Sequence, residues 1–264
     1  FTTATDSHNT AVGFLAGKVI TTGVTNTFIG SRSGEASTDA DLNTAVGFAS
    51  LLLNTVGSNS VAIGNSALES QNPATATTMY NTAVGSAAGA AVTTGTGNTY
   101  IGAKVGDVNT DGTANVAVGG DGTYAALGSD TRGKFTTAIG FGALTAQNFT
   151  SVTQTNNVAV GYFAGGVNAT GTGNTYIGSL AGDDSNDGVD NVAVGNAALG
   201  ANHGDQNVAI GKHAGLLVTG TGNTILGAFA GDAITTGSSN IIIGNSAAAS
   251  AVGASQQQVL GPSV

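Results

Sequence analysis

Two loops carry the residues best suited to chemistry. Asp107, Asn109 and Asp111 stand at alternate positions and run into Gly112, and Asp183, Ser185 and Asp187 repeat the arrangement and run into Gly188. Oxygen-bearing side chains at every second position, followed by a glycine that permits a sharp turn, form the opening half of a calcium-binding loop. The bidentate Glu that completes an EF-hand is missing. Backbone carbonyls, water or a neighbouring chain would have to supply the rest of the roughly six to eight oxygens that calcium takes. The competing reading is an acidic, solvated turn. A weaker version of the pattern, Glu35, Ser37, Asp39 and Asp41, lies in 34–43, and the corresponding stretch 231–240 has lost it. Little else in the chain suggests catalysis. His8, His203 and His213 fall in no Ser–Asp constellation, and His203 and His213 read as surface turn residues. The paired carboxylates are those of the turns just described. The glycine-rich stretches open no helix, so they cradle no phosphate by the usual route. An enzyme is not expected.

Composition narrows the classes further. Among 264 residues there are 43 Gly and no Cys, and 6 Lys and Arg face 15 Asp and Glu for a net charge of -9. A chain this acidic has no basic patch with which to displace counterions from nucleic acid. Without Cys there is no disulfide framework and no thiolate metal site. No apolar run approaches the roughly 20 residues of a transmembrane helix, so no membrane insertion is expected. The chain starts at Phe1 rather than Met and is expected to be a processed or excised piece.

The elements that hold these loops follow from a five-residue motif. Asn-Thr-Ala-Val-Gly at 9–13 returns as NTFIG at 26–30, NTAVG at 43–47, NTYIG at 98–102, NVAVG at 157–161 and NIIIG at 240–244, among others. Taking each closing glycine as position zero, the copies step along the chain by 16 or 17 residues, with three steps of 21. A period near 17 marks a solenoid whose repeats bury their apolar faces only by stacking. It suits one coil of two short strands and two turns, an all-β parallel β-solenoid of about fourteen rungs over 9–249. Segments 1–8 and 250–264 are expected to cap or join it. The insertions after Gly64, Gly119 and Gly140 are expected as projecting loops.

Side chains alternate along a strand. Positions −3 and −1, rich in Thr, Val and Ile, are expected to fill the coil, which sends position −2 outward. That position reads Ala11, Phe28, Ala45, Ala62, Ala83, Tyr100, Ala117, Ala138, Ala159, Tyr176, Ala193, Ala209, Ile225 and Ile242, with no charge anywhere. An apolar stripe of that length would not stay in water, so it is expected to be a homo-oligomer interface, most simply of a trimer. The alternative is a monomer whose Ala residues sit in a neutral exposed strand. A small residue at +3 (Ser33, Ala88, Ala164) reads as a cramped inward corner. The Asn at −4 reads either as a hydrogen-bonded ladder between rungs or as a simple turn residue.

The NSVAIGNSAL stretch at 59–68 and the NTAVG rungs followed by Ala-Gly resemble the head-domain repeats of trimeric autotransporter adhesins and related phage and bacterial tail-fibre repeats. The resemblance covers about 9–250. It implies a left-handed parallel β-roll, three chains side by side, an extracellular location on a cell surface or virion, and attachment to cells, surfaces or glycans. The expected function is therefore an extracellular structural and adhesive fibre module. A filament subunit stacking end to end through 1–8 and 250–264 is the alternative. An ice- or mineral-binding solenoid needs an exposed flat array of Thr, and a Thr row facing inward argues against it. A β-solenoid polysaccharide lyase or hydrolase ranks last for want of an acid–base cluster.

Overall fold

A computed structural model describes residues 6–261, so parts of the two expected terminal caps, 1–5 and 262–264, lie outside the described residues. The chain forms two compact units, Phe1–Phe135 with Thr150–Thr153, and Thr136–Phe149 with Gln154–Val264. Both are stacks of parallel β turns, and among the described residues there is no helix. The principal strands of the first unit are Thr10–Val12, Thr27–Ile29, Thr44–Val46, Val61–Ile63, Thr82–Val84, Thr99–Ala103 and Val116–Asp121. Those of the second are Thr137–Ile139, Val158–Val160, Thr175–Ile177, Val192–Val194, Val208–Ile210, Thr224–Leu226, Ile241–Ile243 and Gln258–Leu260. Within each unit every strand pairs with the next in parallel, motif residue opposite motif residue, as in Phe28 against Ala45 and Ala45 against Ala62.

The solenoid runs one turn further than its motif count. Within the segment expected to be a C-terminal cap, 250–264, Gln258–Leu260 pairs with Ile241–Ile243 as one more strand. Gln257 stands where most turns have Asn, and its backbone amide donates to Asn240 Oδ1 at 3.0 Å.

Three residues per turn take left-handed backbone angles and bend the chain round the coil. In the turn closed by Gly47 they are Leu42 (φ 58°), Ala49 (φ 54°) and Leu51 (φ 48°). Such angles strain a residue with a Cβ by about 1–2 kcal/mol. Each of these amides donates to a neighbouring turn, Leu42 to the Val24 carbonyl, Ala49 to Ser31 and Leu51 to Ala67, at 3.0–3.1 Å. The closing position allows no such tolerance. Gly47 has φ +135°, and a Cβ there would collide with the Gly64 carbonyl of the next turn.

The two faces of the strand are the reverse of the sequence expectation. From Phe28 to Ile242 every −2 side chain is fully buried inside the coil. Only Ala11, in the first turn, is exposed. Positions −3 and −1 face outward, so the −2 residues from Phe28 to Ile242 cannot form the expected oligomer interface. The reason is parity. The Asn at −4 points inward, and −2 must follow it. Asn26 Oδ1 accepts from the Asn43 amide at 3.0 Å, and Asn43 Nδ2 donates to the Gly57 carbonyl at 2.9 Å. The same pair of bonds recurs through Asn98, Asn174 and Asn223. This is the ladder reading of the −4 Asn, and it makes a buried polar row affordable, since each buried amide has its partners.

Besides the Gln257 turn, two turns lack the ladder Asn and carry Ser60 or Thr136 instead. There the turn that follows, one of the 21-residue steps, supplies the missing group. Gln71 Oε1 accepts from Ser60 Oγ at 3.1 Å and from Asn81 Nδ2 at 2.9 Å. Gln147 Nε2 donates to Thr136 Oγ1 at 3.1 Å, and its Oε1 accepts from Asn157 Nδ2 at 2.9 Å. These insertions repair the interior as well as lengthening the surface.

The core is narrow, and its volume is shared between positions −2 and +4. Each −2 side chain lies between the +4 residues of its own and the preceding turn. Phe28 lies between Gly17 and Gly34, Tyr100 between Gly89 and Gly106, Tyr176 between Gly165 and Gly182, and Ile225 between Gly215 and Gly231. Where Leu51, Leu68, Leu144 or Leu199 occupies +4, fully buried, the adjoining −2 residue is Ala. The +3 residues Ser33, Ala88 and Ala164 are buried as expected.

Candidate functional site

The calcium-like triplets are divided by the strand geometry rather than gathered by it. Asn109 is fully buried. Its Oδ1 accepts from the Gly112 amide at 3.0 Å and its Nδ2 donates to Asp130 Oδ2 at 3.2 Å. Ser185, also fully buried, accepts from the Gly188 amide at 3.3 Å and donates to the His203 carbonyl at 3.2 Å. Both middle residues thus close their own turns from inside the coil. The flanking carboxylates lie nearer the surface. Asp111 receives Arg132 Nε at 3.7 Å, and Asp187 is exposed. Desolvation raises the pKa of Asp107, with Lys104 pulling the other way. Asp183 is pushed up to about 6 by desolvation, with the neighbouring Asp184 charge adding to it. Among the described residues no group of three or more His, Asp or Glu side chains is arranged to hold a metal ion.

Titratable groups occur where the sequence reading did not place them. His203 is not a surface turn residue but is buried. Its Nδ1 lies 3.2 Å from the Gly204 carbonyl and its Nε2 lies 3.4 Å from the Tyr176 hydroxyl. Burial depresses its pKa, so the neutral ring is favoured. In the first unit Asp130 is likewise buried, and both of its carboxylate oxygens take the Gly133 amide, at 3.0 and 3.1 Å. Asn54, Asp130 and Asn168 all close a turn through a glycine amide three residues on. The Tyr100 hydroxyl is buried without a hydrogen-bond partner. Burial raises its pKa and the Asp130 charge adds to the effect, while the Asn115 side chain opposes them. His213 sits differently, half-exposed with its ring edge-on to Phe229 at 5.2 Å.

The surface that remains is the outer face of the strands. In the first unit position −1 reads Val12, Ile29, Val46, Ile63, Val84, Ile101 and Val118, and position −3 reads Thr10, Thr27, Thr44, Val61, Thr82, Thr99 and Val116. In the second unit −1 begins Ile139, Val160, Ile177, Val194 and Ile210. None is charged. Beside these rows stand exposed aromatic residues at +1, namely Phe14, Phe48 and Tyr162. In the second unit Phe141 and Tyr162 stack at 5.8 Å with a 10° interplanar angle, and Phe163 meets both edge-on at 5.7 and 4.8 Å. The first unit also has a groove of about 320 Å³ lined by Val19, Ala36, Leu52 and Leu53, with Lys18 and Arg32 both paired to Glu35.

No family model, no curated protein and no solved structure matches the chain.

Proposed function

We propose that the chain is an extracellular structural and adhesive fibre module, a shaft of stacked β turns that presents side chains for attachment to cells, surfaces or glycans. The observation that carries this reading is the continuity of the stacking inside each unit. Every turn is tied to the next by strand pairing, and in most turns also by the −4 Asn inside the coil. In such a stack each turn is held by its neighbours on both sides, so stability accumulates turn by turn along the axis. Attachment is assigned to the exposed aromatic residues, above all Tyr162 on its Phe141 and Phe163 support. Rigid aromatic faces with a few polar neighbours are what ligand sites present. Calcium has a subordinate place in this reading, at the surface carboxylates Asp107, Asp111, Asp183 and Asp187, since the turns beneath them are closed by their own hydrogen bonds.

The test is electron microscopy of the purified chain together with binding to a glycan array or to cells. Narrow elongated particles are expected, with binding lost in Tyr162→Ala while the particles persist. Rounded particles would overturn the shaft reading. Particles that join end to end into long threads would favour the filament alternative.

A further inference from the structure

The groove on the first unit forms where three consecutive turns bring unlike residues into one column. Counted from the closing glycine, position +5 reads Lys18, Glu35 and Leu52, and position +6 reads Val19, Ala36 and Leu53. The backbone holds these turns in register. The Ala36 amide donates to the Leu52 carbonyl at 3.1 Å and the Gly34 amide to the Ser50 carbonyl at 2.9 Å. Ala36 is the smallest residue of its row, which leaves a hollow between Val19 and Leu53, themselves 39% and 48% exposed. The hollow encloses about 320 Å³, lined by these apolar residues and by the cluster of Lys18, Arg32 and Glu35.

Cations are scarce in this chain. There are 6 Lys and Arg against 15 Asp and Glu, yet Lys18 and Arg32 both line this groove with Glu35 as its sole carboxylate. Arg32 Nε donates to Glu35 Oε2 at 2.6 Å, and Lys18 Nζ lies 3.8 Å from Glu35 Oε1. Glu35 is the most covered of the three side chains, at 18% exposure, and grips the guanidinium by its inner nitrogen. The two terminal amino groups of Arg32 are left for a partner outside the cluster. Two cations against one carboxylate also leave one net positive charge. Glu69, the +5 residue of the next turn, does not line the groove.

We propose that this groove binds a small monocarboxylate with an aliphatic body. Its carboxylate meets Arg32 and Lys18, and its chain lies on Val19, Ala36, Leu52 and Leu53. The proposal goes beyond the attachment assigned to Tyr162 and does not depend on it. A guanidinium fork matches a carboxylate with two parallel hydrogen bonds, and one net positive charge answers one carboxylate. The apolar floor selects a ligand with a hydrocarbon body, since a bare hydrated anion would lose water there and gain no hydrogen bonds from the floor. At ~30 Å³ per heavy atom the space holds on the order of ten such atoms, the size of octanoate. Ligand sites begin at about this volume, roughly 300 Å³. An ion cluster formed only for surface stability has no need of an apolar hollow beside it.

The experiment follows backbone amide shifts of the isotope-labelled full chain during titration with octanoate, with octan-1-ol, acetate and inorganic phosphate as comparison ligands. Octanoate is expected to move the amides of Val19, Ala36 and Leu53 saturably, in the millimolar range that a ligand of its size allows. Octan-1-ol, without the charge, is expected to bind roughly tenfold more weakly, the worth of one charge-assisted hydrogen bond. Acetate, without the chain, is expected to bind more weakly still. Arg32→Gln, on an exposed side chain, is expected to cost the same factor of about ten. Ala36→Leu fills the hollow and is expected to abolish the shifts. Melting curves identify a variant that fails to fold, and the wild-type titrations then decide. The proposal is overturned by a wild type without saturable shifts at the groove, by octan-1-ol binding as well as octanoate, or by phosphate binding better. Octanoate binding that survives in both folded variants overturns it too. Elongated particles in the same samples leave the shaft reading standing in each of these cases.

Discussion

The sharing of core volume between −2 and +4 makes a quantitative demand on Phe28 and Gly34. A Cβ on Gly34 would lie 2.6–2.7 Å from three Phe28 ring atoms, well inside contact distance. Gly34→Leu alone therefore forces the ring or the turn aside, at about 3 kcal/mol or more. Phe28→Ala alone removes a wholly buried ring between Gly17 and Gly34 and leaves a cavity, at about 3–5 kcal/mol. The two together reproduce an arrangement already in the molecule, Ala45 between Gly34 and Leu51. The neighbouring Ala45 would then lie between two Leu residues, as Ala62 does between Leu51 and Leu68. The left-handed angle at Gly34 (φ 57°) is also one that Leu51 already adopts (φ 48°). The double variant is thus expected within about 1–2 kcal/mol of the wild type, the residue being the left-handed strain of a Leu. Chemical denaturation of the wild type, both single variants and the double variant closes the cycle, and a favourable coupling of at least about 3 kcal/mol is expected. If the double variant loses as much as the two single variants combined, the two positions do not share one volume and the core has been misread.

Other outcomes follow from the same interior. Asn98→Ala removes the acceptor of the Asn115 amide and the donor to the Gly112 carbonyl. Two orphaned buried groups correspond to about 2–5 kcal/mol, read as a lower melting temperature and faster amide exchange at Asn115. His203 has its folded pKa depressed below the ordinary 6.5, so the unfolded chain binds the extra proton. Its contribution to stability is complete above pH 6.5 and is lost as pH falls through the folded value. Melting of the wild type between pH 7.5 and 5 should show this, and His203→Asn, which keeps a polar side chain like that of Asn168, should remove it. Asp183, raised to about 6, acts in the opposite sense, favouring the fold as pH drops from 6 towards 4, so the variant comparison isolates the histidine. Tyr100→Phe deletes a buried hydroxyl without a partner and should leave stability unchanged or raise it by about 1–3 kcal/mol, measured by denaturation. Chelator is expected to leave the melting temperature unchanged, because Asn109 and Ser185 already close their turns. A fall of several degrees would show a structural ion at the surface carboxylates.

The stacking of turns is legible in the sequence because one glycine per turn has no substitute. The carbonyl of the next turn occupies the place of its Cβ, so the period survives variation everywhere else. The direction of the side chains was also present in the sequence, but under a different sign. Hydrophobicity and β-branching assigned −3 and −1 to the core, as they would in a wide globular interior. This coil is too narrow for that, and its inner row is mostly Ala, with flanking glycines at +4 making room for Phe28, Tyr100, Tyr176 and Ile225. The readable signals were the parity of −4 with −2, which a buried Asn ladder fixes, and the exchange of Gly for Leu at +4 with the size of −2. His203 and Asp130 could not be read in the same way. Both lie in turns whose spacing departs from 17, so no register based on the glycine places them on the inner row.

The inversion of faces changes what the motif implies for assembly. With −2 outward, a row made mostly of Ala would have allowed close approach but carried little shape, and any flat apolar surface could have met it. With −1 outward, the row is made of larger, β-branched or Leu residues spaced by the step of the solenoid itself. The inner row answers to the +4 residues on a three- to four-turn pattern, from Phe28 to Tyr100 to Tyr176 to Ile225, while the outer row alternates between Val and Ile from Val12 to Ile210 and continues as Leu226, Ile243 and Leu260. Two patterns with different periods on the same three-residue strand cannot both arise from packing the coil. The inner pattern follows the packing of the coil, and the outer row is free of that constraint.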